Sequence, residues 1–331
     1  MIGMRTASAR PVSLAFFAGT AVLCFTACGG SIAPSGVSNS TFAAHSIALA
    51  ARAPATTFTF TTLDDQADPT FNQLLGINNS NKIAGYFGSG LAGHPNKGYT
   101  IVPPYGQGNY ANENFPGSAQ TQVTAINKSG YTAGFWVGSK GVNRGFVEWK
   151  GVFTSYRDPN TGSGTVNQLL GLNDGGIAVG FFVDGTGKNH AYKLNQATGV
   201  FTPIVPPGGK NAVATGINDN GVIVGFYTVG TATDGFIDKG GSFTAFSFPG
   251  SANTMPLGIN IHNQIVGSYA DSSGNTHGFL LSHPLTGATF QTVDDPLGPG
   301  TTVVNGLNDN LDLVGFYVDA AGNTDGMLAH P

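Results

Sequence analysis

The sequence predicts an all-β fold: a six-bladed β-propeller of four-stranded antiparallel blades, closed by an N-terminal strand. Three observations carry that prediction. The first is a phrase that recurs six times: Gly76-Ile77-Asn78, Ala125-Ile126-Asn127, Gly171-Leu172-Asn173, Gly216-Ile217-Asn218, Gly258-Ile259-Asn260 and Gly306-Leu307-Asn308. Successive asparagines lie 49, 46, 45, 42 and 48 residues apart, and a propeller blade of four strands takes about 40–50 residues. The second is composition. Glycine fills 50 of 331 positions and charged residues only 10%, against about 7% and about 25% in an average soluble domain. The only glutamates are Glu113 and Glu148; the other acids are aspartates, which favour turns over helix interiors. The third is a seam. Copy six runs out after its third strand, while a strand of the fourth type stands unattached ahead of copy one.

Within a copy the strands follow in order. The segment ending in Gly-Ile-Asn is the first, and Asn218-Asp219-Asn220-Gly221 shows the turn after it, built from residues that tolerate the positive φ of a tight hairpin. Ile223-Val224-Gly225-Phe226-Tyr227 is the second strand. Seven residues after each asparagine stands a glycine (Gly85, Gly134, Gly180, Gly225, Gly267, Gly315), with an aromatic within two residues. That fixed spacing suggests close backbone approach between blades. A turn such as Asp271-Ser272-Ser273-Gly274-Asn275-Thr276 leads to a third strand, His277-Gly278-Phe279-Leu280-Leu281. The fourth is the type of Phe243-Thr244-Ala245-Phe246-Ser247-Phe248, ended by Pro249, since proline has no amide hydrogen to give a ladder. Residues 58–63 match this fourth type. A circular array can pair them into the last blade, whereas an open solenoid would leave unpaired edges at both ends.

The N-terminus reads as an address. Residues 1–10 carry Arg5 and Arg10 and no acid, an apolar run spans 12–25, and Thr26-Ala27-Cys28-Gly29 follows; these are the n-region, h-region and cleavage site of a signal peptide over 1–27. The run is too short for a transmembrane helix of about 20 residues. Phe25-Thr26-Ala27-Cys28 resembles the bacterial lipobox, which implies diacylation of Cys28, and Gly29 after it implies the outer membrane or cell surface. Residues 28–55, rich in Ser, Ala and Gly, read as a flexible tether, and 56–331 as the propeller. With no cysteine after Cys28, the propeller holds no disulfide.

The third-strand phrases His190-Ala191-Tyr192, His277-Gly278-Phe279, Arg144-Gly145-Phe146, Asp234-Gly235-Phe236, Lys97-Gly98-Tyr99 and Asp325-Gly326-Met327, taken with the Gly-Ile-Asn units, resemble the bacterial extracellular HAF repeat, named for His-Ala-Phe. Two of six copies keep the histidine. The resemblance covers roughly residues 58–328 and implies export and repeat architecture. It carries no catalytic residue with it.

Candidate chemistry is sparse. His190 and His277 occupy one blade position in different repeats and read as hairpin residues, because a metal site needs several donors converging on one point. Asp184, Asp271 and Asp319 open Asp-x-x-Gly turns and lack the ligand series of a calcium loop. Asp64/Asp65 and Asp294/Asp295 end fourth strands, where sequence neighbours point to opposite faces. No nucleophile elbow, His-Glu-x-x-His or phosphate loop occurs, so no cofactor and no metal is expected. Acids outnumber bases by 18 to 14, which argues against nucleic acid.

Departures from the repeat are where specificity belongs. Copy one carries a long segment, 100–117, with Tyr105, Tyr110 and Glu113, and copy two holds both tryptophans. Trp136 reads as an inter-blade core residue replacing the aromatic after Gly134. Tyr105, Tyr110 and Trp149 are the candidate binding residues, with Tyr105 and Trp149 expected at the surface, where aromatic rings suit a glycan or peptide. The sequence favours a monomeric, non-enzymatic binding or scaffold module for a protein or glycan, held to the membrane only by its lipid. The alternative is an extracytoplasmic hydrolase or lyase acting at the central channel. The leader predicts that palmitate label enters at Cys28 and is lost in Cys28→Ser; an unlabelled mature protein with a different N-terminus contradicts the anchor.

Overall fold

The computed structural model describes residues 55–163 and 165–331, with a two-residue strand pair at Phe17–Ala18 and Ala21–Val22. Cys28 and the tether up to residue 54 lie outside the described residues. Six four-stranded antiparallel sheets follow one another along the chain. Blade 1 comprises Asn72–Ile77, Ile83–Phe87, Lys97–Ile101 and Tyr110–Asn112. Blade 2 comprises Gln120–Ile126, Thr132–Val137, Asn143–Trp149 and Val152–Tyr156. Blade 3 runs from Asn167–Leu172 to Val200–Ile204, blade 4 from Lys210–Ile217 to Ser242–Phe246 and blade 5 from Thr254–Ile259 to Thr289–Val293. Blade 6 takes Val303–Leu307, Leu313–Val318 and Thr324–His330 from the C-terminus and Thr59–Thr62 from the N-terminus.

The seam closes as the strand count requires. Thr62 pairs with Met327, Thr61 with Leu328, Phe60 with Ala329 and Thr59 with His330, so the last blade gains its outer strand and the third strand keeps no unpaired edge. The propeller of the sequence reading is the fold observed. Up-and-down topology gives the ring two faces. The hairpins joining first to second and third to fourth strands share one, termed the hairpin face. The connections from second to third strand and from blade to blade share the other, the loop face.

The six repeat asparagines build the hairpin face from the inside. Each ends an innermost strand, and its carboxamide oxygen accepts amides of its own turn, as from Ser80 and Lys82 to Asn78 at 3.0 Å. The turn's third residue after the asparagine, in turn Asn81, Gly130, Gly176, Gly221, Asn263 and Leu311, has φ between 59° and 89°, which glycine and asparagine adopt cheaply and leucine does not. The amide nitrogen Nδ2 then crosses to the next blade. It donates from Asn78 to Asn127 O, Asn127 to Asn173 O, Asn173 to Asn218 O, Asn218 to Asn260 O, Asn260 to Asn308 O and Asn308 back to Asn78 O, at 3.1, 3.3, 3.1, 2.9, 3.2 and 3.4 Å. All six side chains are buried. The result is a closed circle of hydrogen bonds.

Each innermost strand also carries a β-bulge at one position, between Leu74/Gly76, Val123/Ala125, Leu169/Gly171, Ala214/Gly216, Pro256/Gly258 and Val304/Gly306. The bulged residues alternate Leu75, Thr124, Leu170, Thr215, Leu257, Asn305 around the ring. The polar three bridge outward: Thr124 Oγ1 donates to Leu169 O (2.8 Å), Thr215 Oγ1 to Pro256 O (2.8 Å) and Asn305 Nδ2 to Leu74 O (3.0 Å). A three-fold pattern of cross-blade bonds thus lies on the six-fold frame.

The bulge corrects one expectation. The glycine seven residues after each asparagine does not mark an approach between blades. A Cβ on Gly180 would lie 1.9 Å from Gln168 O and one on Gly225 2.1 Å from Val213 O, both on the innermost strand of the same blade. The between-blade contact belongs to the other repeat glycines. A Cβ on Gly306 would lie 3.2 Å from Gly76 Cα, and one on Gly145 2.8 Å from Leu169 Cγ in blade 3. The apolar core sits in the same gaps: between blades 2 and 3, Ala125, Ala133 and Val147 pack against Leu169, Tyr192 and Leu194, all buried.

Because 59–62 supplies the outer strand of blade 6, removing residues 56–64 exposes a row of unpaired backbone groups and the apolar side chains beneath. The expected outcome is a large drop in melting temperature for that deletion and none for deletion of 30–50; equal melting temperatures for the two and the parent contradict the seam.

Candidate functional site

At two junctions the hairpin face carries a groove between the hairpins of one blade and the first turn of the next. The repeat fixes the backbone of these grooves and leaves their lining free to vary. Between blades 3 and 4 the groove is a cavity of about 410 Å³ with aliphatic walls from Ile177, Val200, Ile217 and Ile223 and a single cation, Lys193. Between blades 5 and 6 a cavity of about 410 Å³ is polar, lined by His262, Gln264, His283, Asp309, Asn310 and Leu311. Between blades 2 and 3 the corresponding place is filled. Trp149 stacks on Tyr131 with ring centroids 4.0 Å apart and planes 6° from parallel, and Lys150 Nζ lies 5.0 Å from the indole. Tyr131 and Ile177 occupy the same place, four residues after the repeat asparagine, so the difference between a filled and an open groove is one of side chain alone.

The three predicted binding residues share this face but not a site. Trp149 is half-buried and stacks on Tyr131, which packs against the apolar cluster between blades 2 and 3. Tyr105 and Tyr110 belong to the apolar cluster between blades 6 and 1. Tyr105 is half-buried, not free at the surface, and its hydroxyl donates to Asn81 O at 2.8 Å. Tyr110 packs edge-on against the buried Tyr99 at 4.9 Å, with both hydroxyls buried and without a hydrogen-bond partner; burial pushes the Tyr110 hydroxyl above its ordinary value. Tyr110 is therefore a packing residue. Trp136 also departs from expectation, because Phe135 takes the buried position after Gly134 and Trp136 lies half-buried, stacked on Phe115 at 4.3 Å.

The polar groups of the loop face are held within their turns. Asp184 Oδ1 accepts the amides of Thr186 and Lys188, and its Oδ2 meets His190 Nε2 at 2.8 Å. Asp271 accepts the amides of Ser273 and Asn275, and His277 lies between it and Asp294, at 3.4 and 2.7 Å. Burial works against charge on His277, and the two aspartates outweigh it and raise its pKa. The histidine of the repeat phrase thus latches the turn before it. Asp64 and Asp294 accept the third-strand amides of Gly326 and Gly278 at 2.9 and 3.2 Å.

At the channel mouth on the hairpin face, Asp174, Asp219 and Asp309 come from three blades. Their carboxylates are engaged by the neighbouring blade: Asp174 accepts Ser129 N, Asp219 accepts Asp174 N and Asp309 accepts Ile261 N, at 3.1, 2.8 and 3.1 Å. No group of three or more His, Cys, Asp or Glu side chains placed to hold a metal occurs among the described residues.

The two glutamates meet. Glu113, on the connection from blade 1 to blade 2, and Glu148, on the third strand of blade 2, both reach the Thr132 hydroxyl, at 2.9 and 3.3 Å, and all three side chains are buried. Glu148 also accepts Gly151 N, closing its own hairpin as Asp238 does for Gly241 in blade 4. Burial, and then the facing Glu148 carboxylate, push Glu113 up to about 8. Their rarity in the sequence was the available signal; the meeting itself requires the fold.

No protein-family model and no curated protein matches the chain. Among solved structures it is similar to a putative TolB from Agrobacterium tumefaciens, at 11% identity over 84% of this chain and 100% of that one, with a TM-score of 0.56. It is also similar to a variant of AofleA from Arthrobotrys oligospora, at 11% identity, 86% and 90% coverage and a TM-score of 0.50. A variant of the Aleuria aurantia lectin in complex with Fucα1-6GlcNAc aligns at 11% identity, 78% and 91% coverage and a TM-score of 0.47. At such identity the likeness shows the propeller fold alone.

The glutamate pair has a pH consequence. A carboxyl raised from 4.5 to about 8 on folding holds a proton in the folded chain that the unfolded chain has released, so its contribution to stability falls as pH rises through that window, by up to about 1.4 kcal/mol per pH unit. Glu113→Gln is expected to flatten the decline of stability between pH 5 and 8 and to be more stable than the parent at pH 8. Denaturant titrations at both pH values check this; a parent and variant that stay parallel across the window contradict it.

Proposed function

We propose that this chain is an exported, lipid-anchored propeller that acts as a non-enzymatic binding module for a glycan or protein partner, presented on the hairpin face. The observation that carries the reading is a constant backbone frame bearing grooves of different lining on one face: aliphatic with a lysine between blades 3 and 4, imidazole and amide between blades 5 and 6, an aromatic stack between blades 2 and 3. Grooves of varied lining on a rigid ring are the arrangement expected of recognition. A channel hydrolase or lyase would need acids and bases free to exchange protons at one mouth; the three aspartates there already accept backbone amides.

The leader and tether fit the same picture. The strand Thr59–Thr62 enters blade 6 from the hairpin face, beside His330, and Thr56 is held on blade 5 by Gln291 through both its amide and its carbonyl, at 2.9 and 2.6 Å. The tether proposed for residues 28–55 would, as a random coil, reach about 30 Å. An acyl chain on Cys28 would hold the hairpin face toward the membrane while leaving room for a partner.

A glycan array probed with the mature chain from residue 28 tests the reading. Saturable binding is expected, weakened about ten-fold or more by Trp149→Ala, with no release of new reducing ends on long incubation. Binding that ignores Trp149, or turnover of a bound glycan, contradicts it.

A further inference from the structure

The groove between blades 5 and 6 differs from its equivalents in what its side chains have left to give. His262, His283 and Asn310 are exposed within it, and their side chains have no hydrogen-bond partner among the described residues. Gln264 accepts from Asn260 Nδ2 through Oε1 at 2.8 Å, which leaves its Nε2 free to donate. Asp309 lines the groove with both oxygens already engaged, by Ile261 N at 3.1 Å and Asn79 Nδ2 at 2.6 Å. Leu311 supplies an apolar wall.

The backbone is unusual at the same spot. Leu311 has φ 66° where the equivalent turn residues are glycine or asparagine, and His283, in the facing hairpin, has φ 52°. Histidine visits this region more readily than most residues, and Lys150, at the place of His283 in blade 2, has φ 50°; leucine does not, so the turn alone does not explain Leu311.

The lining selects a ligand class. Imidazoles and carboxamides offer both donors and acceptors, as ring hydroxyls do. No lysine or arginine lines the cavity and one carboxylate does, which disfavours an anionic ligand. The walls hold too little apolar surface for an acyl chain or an aromatic anchor. We infer that this groove is a subsite for a neutral pyranose, bound by His262, His283, Asn310 and the free Gln264 amide, with Leu311 against the sugar's C–H face. The inference rests on the binding-module reading and commits it to one groove and one ligand chemistry.

Imidazole C–H resonances of the mature chain, followed by NMR during titration with the methyl glycosides of glucose, galactose, mannose and N-acetylglucosamine, test it. At least one glycoside is expected to shift His262 and His283 saturably, with a Kd of about 1–10 mM, and to leave His94 and His190 on the loop face unmoved. Asn310→Ala should weaken that Kd ten-fold or more. Leu311→Gly should raise the melting temperature while weakening binding, an outcome a purely structural leucine would not give. Imidazoles that stay still with all four glycosides overturn the subsite; if Trp149 fluorescence or the glycan array responds nonetheless, the module reading survives without it, and if both are silent the two fall together.

Discussion

The architecture depends on one side chain used twice. The repeat asparagine spends its carboxamide oxygen on closing its own hairpin and its Nδ2 on the backbone carbonyl of the equivalent asparagine in the next blade. Neither task can be done by an aliphatic residue, and aspartate, serine and threonine lack an amide donor. Because every donor finds its acceptor one blade ahead, the set is satisfied only when the last blade meets the first, as Asn308 meets Asn78. Each bond contributes on the order of 1 kcal/mol, and each would cost more if broken and left buried. Closure by the N-terminal strand and closure by the asparagine circle are therefore two expressions of the same count of blades, one at the rim and one at the axis.

Much of this was legible in the sequence because repetition multiplies a weak signal. One Gly-Ile-Asn is uninformative; six at blade spacing specify turn, strand and register together, and the missing fourth strand of copy six made residues 58–63 its natural complement. What could not be read was any property needing a neighbour's position. Asn78 announces a turn, but its Nδ2 has meaning only beside Asn127. The glycine at Gly225 announced a close approach, and only the bulge at Ala214/Gly216 shows that the approach is within the blade. Tyr110 and Trp149 both stand in the copies that depart from the repeat. One proves to be packing and the other a groove residue, a distinction set by which gap each faces. The grooves of the hairpin face had no sequence signature, since each is assembled from hairpins of two copies whose variable positions look like ordinary turn residues.

Rigidity and variability are divided cleanly in this ring. The invariant positions, asparagine and the glycines, lie against the axis or in the gaps between backbones, where a Cβ or a lost donor is costly. The variable positions lie on hairpins whose geometry the invariant ones hold. Side chains such as Tyr131, Ile177 and Gln264 can therefore differ in size and polarity at one structural place without disturbing the frame. The interior departs from the repeat where Glu113 meets Glu148 over the Thr132 hydroxyl, a pair of buried carboxyls with no counterpart in the other copies, which lack glutamate.

The most direct test of the account is the urea unfolding midpoint of Asn173→Asp beside that of Asn195→Asp. Asn173 Nδ2 donates to Asn218 O from a buried site, whereas the exposed Asn195 serves its turn only as an acceptor, for Ala197 N and Thr198 N. Aspartate keeps the acceptor in both and removes the donor in both. The account predicts a loss of about 1–3 kcal/mol at position 173 and little change at 195. Equal midpoints would show that the asparagines serve only their own turns and that the circle of hydrogen bonds does not hold the ring together.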